Sequence, residues 1–258
     1  MSWASRRKIQ YILGILIFIS LIVFAFIYPS LIKKPTCFDN KQNGDERGID
    51  CGGSCNLYCS ADVAEPNILW SRAFHVVGNS YNLIALVENQ NQNAAVSSIS
   101  YEFKVYDTNN LLIGHKVGTT YIPPNRQLAI FESRFDSGQN KIKSVTFNFI
   151  PPFIWVKKES TLYTLPIRVD NIIKGNDINN PSLSARINND SVYNLPEFDV
   201  VAILYDAKHN AINASKTHKD GLLSNSNTTV YFTWPEALSG EFVTQDIFTQ
   251  INPFTTKF

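Results

Sequence analysis

The hydrophobic pattern of the chain begins with one unbroken apolar run and continues with short alternating segments. The run from Tyr11 to Tyr28 contains 18 residues and no charge. In a helix that rises about 1.5 Å per residue it would extend for about 27 Å, close to the ~30 Å hydrocarbon core of a bilayer. The pattern therefore predicts a transmembrane helix over residues 9–32, after a short N-terminal segment of residues 1–8.

Basic residues flank this run unequally. Arg6, Arg7 and Lys8 precede it, whereas Lys33 and Lys34 follow it. The positive-inside rule then favours a cytoplasmic N-terminus and an extracytoplasmic bulk, in a protein held in the cell membrane by a single span. A cleaved signal peptide is the alternative, but it would have a shorter apolar core and a small-x-small cleavage site, which the run lacks. The flanks therefore favour an uncleaved signal anchor.

Beyond residue 66 the pattern changes to the two-residue period of β-strands. Tyr101, Phe103 and Val105 alternate with Glu102 and Lys104, as in a strand with one buried face and one wet face. Turn residues separate short apolar segments, so that about 90 residues hold six or seven strands. This spacing predicts antiparallel β-sandwiches of the immunoglobulin or fibronectin-III type, and a β-barrel is the alternative.

The β region is predicted to contain two copies of one domain, because the same segments recur about 100 residues apart. Four pairs match in register: 83–89 with 183–189, 103–107 with 202–206, 130–131 with 231–232, and 147–153 with 248–254. Such self-similarity is typical of repeated domains. We assign the first copy to residues 66–154 and the second to residues 163–255. The predicted fold class is all-β, with two tandem antiparallel sandwiches behind one transmembrane helix.

Three further features concern the turns and the connection between the copies. Asp107 and Asp206 occupy matching turn positions, where an Asp side chain is expected to accept a hydrogen bond from the backbone ahead. The strand from Phe198 to Tyr205 is apolar on both faces, so either it is central and covered, or its outer face packs on a neighbour. Trp155 lies in the connection and is expected to pack between the copies; a ligand-facing role is the alternative.

All four cysteines lie within residues 36–60, and the β copies contain none. The segment has few apolar residues, so covalent or ionic bonds must hold it. We predict two disulfides of open connectivity among Cys37, Cys51, Cys55 and Cys59, in an oxidising extracytoplasmic compartment. A zinc site is the alternative, although zinc modules usually separate two close ligand pairs by a longer loop.

The same segment partly matches the spacing of a twelve-residue calcium loop. Oxygen ligands fall at positions one, five, seven and twelve, and a glycine at six: Asp39, Asn43, Asp45, Asp50 and Gly44. Lys41 at position three breaks the pattern, because its charge would repel the ion. Weak calcium binding is one hypothesis, and a turn-rich segment whose Asp and Asn side chains cap their own backbone is the alternative. No other cofactor is predicted.

The cysteine segment resembles a short motif of bacterial surface and secreted proteins, C-x-(D/N)-x-x-x-N-G-x-E-x-G-x-D-C-G-G-x-C. The match is carried by Cys37, Asn43, Gly44, Glu46, Gly48, Asp50, Cys51, Gly52, Gly53 and Cys55. The resemblance covers about 20 residues and implies an exposed surface module with no known activity.

The pattern F-x-(L/V)-Y-D at residues 103–107 looks like the FxLyD family, which is similar to LEA-type and fibronectin-III-like sandwiches of bacterial envelope proteins. The strand that ends at Asn89 and the Pro/Asn turn before Phe131 complete the match. In the second copy Ala202 replaces the phenylalanine, so that this copy is assigned through the internal repeat. The resemblance implies extracytoplasmic, non-catalytic β domains.

The remaining chemistry argues against several function classes. The net charge is +1 and no basic stripe occurs, so no nucleic-acid partner is predicted. The sequence contains no phosphate-binding loop, nucleophile elbow or metal-binding histidine pair. The four histidines, His75, His115, His209 and His218, are expected to be surface or internally paired residues. We predict that the protein is not an enzyme.

The main functional hypothesis is therefore a membrane-anchored, extracytoplasmic protein whose tandem sandwiches bind or position a protein or glycan of the cell envelope. A passive structural spacer or envelope-assembly subunit is the alternative. A hydrolase with a site built across the two copies is the third hypothesis.

Overall fold

The computed structural model describes residues 3–31, 35–158, 166–177, 179–252 and 254–255. The chain forms two compact units, Met1–Cys55 and Asn56–Phe258. The first contains helix α1 (Trp3–Leu31) and most of the cysteine segment. Residue 32 of the predicted span and its basic flank lie outside the described residues, as do residues 163–165 of the predicted second copy.

Helix α1 contains the predicted apolar run. Among the described residues it is the helix that is long and apolar enough to cross a membrane, over Arg7–Tyr28. Its described side chains are exposed, including Tyr11 and Tyr28 at the ends of the run. A helix that is apolar on every side is unsuited to water, because it has no polar face to present. Its composition therefore fits a lipid environment, as a membrane anchor or a signal peptide.

The second unit is all-β and consists of two sandwiches. Sandwich 1 contains β1 (Asn67–Val77), β2 (Ser80–Asn89), β3 (Ala94–Asp107), β4 (Leu112–Ile122), β5 (Arg126–Asp136), β6 (Ile142–Ile150) and β7 (Trp155–Lys157). Sandwich 2 contains β8 (Ile167–Lys174), β9 (Ser182–Asn189), β10 (Phe198–Tyr205), β11 (Ala211–Lys219), β12 (Ser226–Thr233) and β13 (Thr244–Gln250). The strand pairs are antiparallel, which confirms the predicted fold class of two tandem sandwiches behind one N-terminal helix.

The two sandwiches share one strand order. In sandwich 1 the sheets run β1-β2-β5 and β4-β3-β6, and in sandwich 2 they run β8-β9-β12 and β11-β10-β13. Each of β1 to β6 thus has its counterpart, seven strands later, in sandwich 2. The short β7 is the addition, and it extends the sheet of sandwich 1 along the start of β3. The repeat seen in the sequence is therefore a repeat of topology.

Each sandwich is held by its own core, formed by alternate residues of its strands. In sandwich 1, Leu83, Ala85 and Val87 of β2 face Phe103 and Val105 of β3. The core of sandwich 2 uses the matching positions of β9 and β10, including Leu183, Ile187, Val200, Ala202 and Leu204. Complete burial of one Val, Leu or Ile side chain stabilises a fold by about 1.5–3 kcal/mol. Two separate cores thus give two domains that are each complete as a sandwich.

A buried asparagine ends the second strand of each sandwich. The Asn89 side chain donates to the carbonyl oxygens of Ala94 and Pro123, both at 2.8 Å. Asn189, fully buried, donates to the carbonyl oxygens of Tyr193 at 2.8 Å and Leu223 at 2.9 Å. Each side chain therefore ties two loops together at one end of its sandwich, where buried carbonyl groups must find donors.

The position of Trp155 differs from the prediction. It is buried in sandwich 1 with Val96, Ile99 and Ile122, and its ring stacks on Phe153. The residue does not lie between the copies, because β7 returns along β3 and carries the indole into the end of sandwich 1. The prediction that Trp155 stiffens the connection between the domains is therefore wrong.

Candidate functional site

A third buried cluster joins the two sandwiches face to face, and we name it the interdomain joint. Sandwich 1 contributes the outer face of its β1-β2-β5 sheet, and sandwich 2 contributes the outer face of its β11-β10-β13 sheet. The buried members are Phe74, Ile84, Leu86, Ala129, Val201, Ile203, Tyr205, Ala211 and Ala214. The alternatives for the doubly apolar strand β10 are thereby resolved: it is central in its sheet, and its outer face packs on sandwich 1.

Polar contacts cross the same interface. Arg72 Nη1 donates to the carbonyl oxygen of Ala211 at 2.6 Å, and Gln250 Nε2 donates to the carbonyl oxygen of Ala129 at 2.7 Å. His75 Nδ1 also lies 3.3 Å from a Glu236 carboxylate oxygen. Hydrogen bonds constrain direction as well as distance. The joint therefore sets the orientation of one sandwich relative to the other, as well as holding them together.

The two copies differ in sequence at the positions that form the interdomain joint. Ile203 of the joint corresponds to Lys104 in sandwich 1, which lies on an outer face that is not covered. Conversely, Leu86 of the joint corresponds to Arg186 of sandwich 2, which is exposed. Each sandwich has thus made a different sheet apolar on its outside. The result is a specific contact between two unlike surfaces.

A polar cleft opens beside the joint, between the two sandwiches. Its cavity volume is about 420 Å³, within the ~300–1,000 Å³ range of ligand sites. Sandwich 1 lines it with residues of β3, β4 and β5, and sandwich 2 with residues of β10, β11 and the segment after β13. The polar lining residues are Ser97, Ser98, Tyr101, Thr119, Thr120, Tyr121, Glu197, Asp199, Lys216, His218, Gln250, Asn252 and Thr255.

Strand register explains the charged wall of the cleft. Asp199 lies on the same face of β10 as Val201 and Ile203, and it is paired with His218 on β11. The Asp199 carboxylate accepts from His218 Nδ1 at 2.8 Å and from Lys216 Nζ at 3.1 Å. The face of β10 that is apolar at Val201 and Ile203 is therefore charged at Asp199, two residues earlier in the strand. At that point the two sandwiches leave a gap between them.

The opposite wall presents tyrosines. Tyr101 is buried in the core of sandwich 1 and lines the cleft, and its hydroxyl donates to Glu132 Oε1 at 2.7 Å. Burial, followed by the charge of Asp199, raises the pKa of Tyr121 above its ordinary value. Within the part of the chain that the structure describes, the Tyr121 hydroxyl makes no hydrogen bond. Its hydroxyl therefore keeps its donor and acceptor capacity, and it feels the charges of Asp199 on the opposite wall and of Arg126.

His218 gives a titration that can be measured. The hydrogen bond to Asp199 raises the pKa of His218 above its ordinary value, and Asp220 and Glu197 add to the effect by their charge. Because the folded pKa lies above the unfolded one, this pair stabilises the fold fully below the unfolded pKa and loses its contribution as pH rises through the folded pKa. NMR titration should therefore place the His218 pKa above that of an unperturbed histidine, and Asp199→Asn should lower it. An unchanged pKa in that variant would contradict the assigned cause.

The cysteine segment is disulfide-bonded, as predicted. Cys37 pairs with Cys55, and Cys51 and Cys59 are disulfide-bonded as well. Cys37, Glu46 and Cys55 form the cluster of possible metal ligands among the described residues. The disulfide uses both sulfurs of that cluster, so they are not available as thiolate ligands for zinc.

Removal of this disulfide should loosen the segment. It closes a loop with a sequence separation of 18 residues, and closing a loop of such length stabilises a fold by about 3 kcal/mol. We expect Cys55→Ser to make the segment cleavable by trypsin at Lys41 or Arg47 under conditions in which the wild type is intact. Ser60→Ala is the control, since it keeps all four cysteines. Equal cleavage rates in the wild type and Cys55→Ser would exclude a stabilising role.

The four residues of the predicted calcium loop lie close together, engaged in turns. Asp50 accepts from the backbone N–H groups of Asp39 and Asn40, each at 3.0 Å for the shorter contact. The Asn43 side chain donates to Asp39 Oδ2 at 2.9 Å, and this bond is the main cause that lowers the pKa of Asp39. Asp45 accepts from Ser54 Oγ at 2.7 Å. These are the contacts of a self-capping segment, and calcium binding stays a prediction.

The other predicted residues are separate from the cleft. Asp107 Oδ1 accepts from the backbone N–H groups of Asn109 and Leu111 at 2.8 and 2.9 Å, and Asp206 holds its own turn in the same way. The structure therefore does not bring these two carboxylates together. His218 is the histidine that lines the cleft, and it was not selected from the sequence. Its partner Asp199 was missed too, although it is the second residue of β10, the strand that is apolar on both faces.

The fold and site define a class: an N-terminal apolar helix with a disulfide-bonded segment and two β-sandwiches joined by a specific interface. No protein-family model and no curated protein sequence matches the chain. Among solved structures, the chain is similar to red sea bream transglutaminase, with 12% sequence identity and a TM-score of 0.26. The match covers 73% of this chain and 31% of the length of that protein. At so low a TM-score the likeness supports neither a shared activity nor a shared fold.

Proposed function

We propose that the protein is an integral, single-pass membrane protein that binds or positions a cell-envelope partner through its two sandwiches, without catalysing a reaction. The N-terminus is cytoplasmic in this proposal, and the disulfides and sandwiches are extracytoplasmic. The unequal basic flanks of α1 support the orientation. The disulfides support the compartment, since they persist in oxidising surroundings. The F-x-V-Y-D pattern supports the assignment to FxLyD-like envelope domains.

The interdomain joint is the observation that carries the proposal. Two domains connected only by a flexible linker would hold a partner in no fixed direction, and relative motion is the usual expectation for such domains. Here an apolar cluster and two hydrogen bonds between the sandwiches restrict that motion. A rigid pair of sandwiches behind a membrane helix is suited to presenting a surface at a defined place and angle.

In-cell crosslinking of the full-length protein, followed by mass spectrometry, tests the proposal. We expect one partner in near-stoichiometric amounts, which is lost when either sandwich is deleted. Ile203→Lys should also reduce its capture by disturbing the joint, whereas Lys104→Ile should not. Captures scattered at background level in the wild type would refute specific binding and favour the passive spacer.

A further inference from the structure

We propose that the cleft between the sandwiches binds a neutral saccharide, gripped between Tyr121 of sandwich 1 and the Asp199–Lys216–His218 wall of sandwich 2. This inference rests on the proposed function and names the ligand class for it. Neither sandwich forms the site alone, because each contributes one wall. The joint is then what assembles the site, since it holds the two walls at their separation.

The first argument is the balance of donors and acceptors. A sugar hydroxyl donates one hydrogen bond and accepts up to two, so a saccharide site needs both kinds of group. The Tyr121 hydroxyl is a free donor and acceptor in the described part of the chain. Lys216 Nζ has three protons and uses one of them on Asp199, and each Asp199 oxygen keeps a further lone pair. Serine and threonine hydroxyls of β3 and β4 line the remaining surface.

The second argument is charge. Glu197 and Asp199 line the cleft with Lys216 and with His218, whose pKa is raised, and the charge of Arg126 acts on Tyr121. The negative and positive groups therefore come close to balance, so neither a polyanion nor a polycation gains a net attraction. A neutral ligand needs none. It can also accept from Lys216 while donating to the carboxylates.

The third argument separates a saccharide from a peptide. A peptide that adds to a sheet edge obtains its specificity from pockets for alternate side chains. Of the apolar residues at this cleft, Ala129, Ile130 and Phe198 are buried in the cores or the joint, and Phe131 is half-buried beneath Lys216. Apart from the Phe131 ring, what remains open is hydroxyl, amide, carboxylate and amine. Such a lining offers no series of apolar pockets for peptide side chains and suits a ligand with many hydroxyl groups.

The direct test is saturation-transfer NMR and calorimetry on the full chain in nanodiscs whose lipids carry no sugar. The probes are maltotriose, cellotriose and chitotriose, with their monomers to separate a polymer segment from a free sugar. We expect at least one trisaccharide to bind, and its monomer to bind more weakly. Asp199→Asn should weaken that binding by about tenfold or more, because hydrogen bonds to charged groups contribute about 1.5–3 kcal/mol. Tyr121→Phe should weaken it about fivefold, the equivalent of one neutral hydrogen bond.

Glu102→Gln is the matched control. Glu102 pairs with His115 at 2.7 Å and Lys104 at 3.2 Å, the same three types of group, but on an outer face of sandwich 1 away from the cleft. We expect this variant to bind like the wild type. Absence of binding to all three trisaccharides, or binding that survives both Asp199→Asn and Tyr121→Phe, would overturn the inference.

The two proposals fail in different ways. If the crosslinked partner is still captured by a chain that binds none of the probes, the saccharide assignment falls and the positioning function stands. If a trisaccharide binds and Asp199→Asn releases it, but no partner is captured in cells, the cleft is supported and the proposed protein partner is refuted.

Discussion

Ile203→Lys is expected to separate the two sandwiches while each keeps its own core. Ile203 is fully buried in the interdomain joint and faces apolar side chains of sandwich 1. The substitution removes an apolar contact and places an ammonium group among apolar side chains, with the exposed Asp246 on the neighbouring strand as its nearest carboxylate by register. Loss of a buried isoleucine alone costs about 2–5 kcal/mol, and taking the ammonium group out of water adds to that cost. Separation of the two sandwiches should cost less free energy than burial of the lysine, because it lets the ammonium group reach water.

Hydrogen–deuterium exchange of the full-length protein provides the measurement. We expect the backbone amides of β2 and β10 to exchange faster in Ile203→Lys than in the wild type. Slow exchange should be retained in strands far from the joint, such as β9. Thermal unfolding should change from one transition to two, because the sandwiches would no longer unfold together. The control variant is Lys104→Ile, which places an isoleucine at the position of sandwich 1 that corresponds to Ile203, on a face that is not covered. It should leave the joint intact. Unchanged exchange in Ile203→Lys would show that the joint contributes little.

The second large effect is expected at Asn189. Its side-chain amide donates to the Tyr193 and Leu223 carbonyl oxygens, and its Oδ1 accepts from Ser191 Oγ at 2.6 Å. Asn189→Asp keeps the shape but replaces the donor by a carboxylate that would face these carbonyl oxygens. Each buried polar group left unpaired costs about 1–3 kcal/mol, so the free energy of unfolding of sandwich 2 should fall by about 3–5 kcal/mol.

Denaturant unfolding monitored by exchange of β9 and β12 would measure that change. Asn227→Asp is a suitable control, because Asn227 lies on β12 of the same sheet with an exposed side chain. Asn89→Asp should destabilise sandwich 1 in the same way, since Asn89 makes the corresponding contacts. Equal stabilities of Asn189→Asp and Asn227→Asp would show that the loops do not depend on this side chain.

The sequence predicted the sandwiches well because their information is local. Alternation of apolar and polar residues marks a strand with one wet face, and the 100-residue repeat fixes which strands correspond. The sequence also contains a pattern that indicates the interdomain joint. Residues 83–87 and 200–205 are continuous apolar runs, which indicates strands covered on both faces. In each case the other copy has a polar residue at a matching position. The two runs are therefore not explained by the shared fold, and together they indicate that these two faces pack on each other.

The cleft was beyond sequence reasoning for a different physical reason. Tyr121 and Asp199 meet only because one outer sheet packs on another, and that angle is set by many small contacts in the joint. No spacing along the chain encodes it. The prediction for Trp155 was wrong for a related reason. Its place in the connection suggested an interface, whereas antiparallel pairing of β7 with β3 carried it back into sandwich 1.

The joint brings together different surfaces of the two sandwiches, which makes it a heterologous contact, without the self-complementarity of a two-fold interface. A contact of that kind can be repeated indefinitely, because each added unit presents the surface that the next one needs, and such growth gives filaments. The two faces through which this array would continue carry Glu102 and Lys104 at one end and Ser184 and Arg186 at the other. The charges of Glu102, Lys104 and Arg186 oppose the burial of these faces in a further contact, and replacing them and Ser184 by the apolar residues of the other copy would be a route to polymerisation.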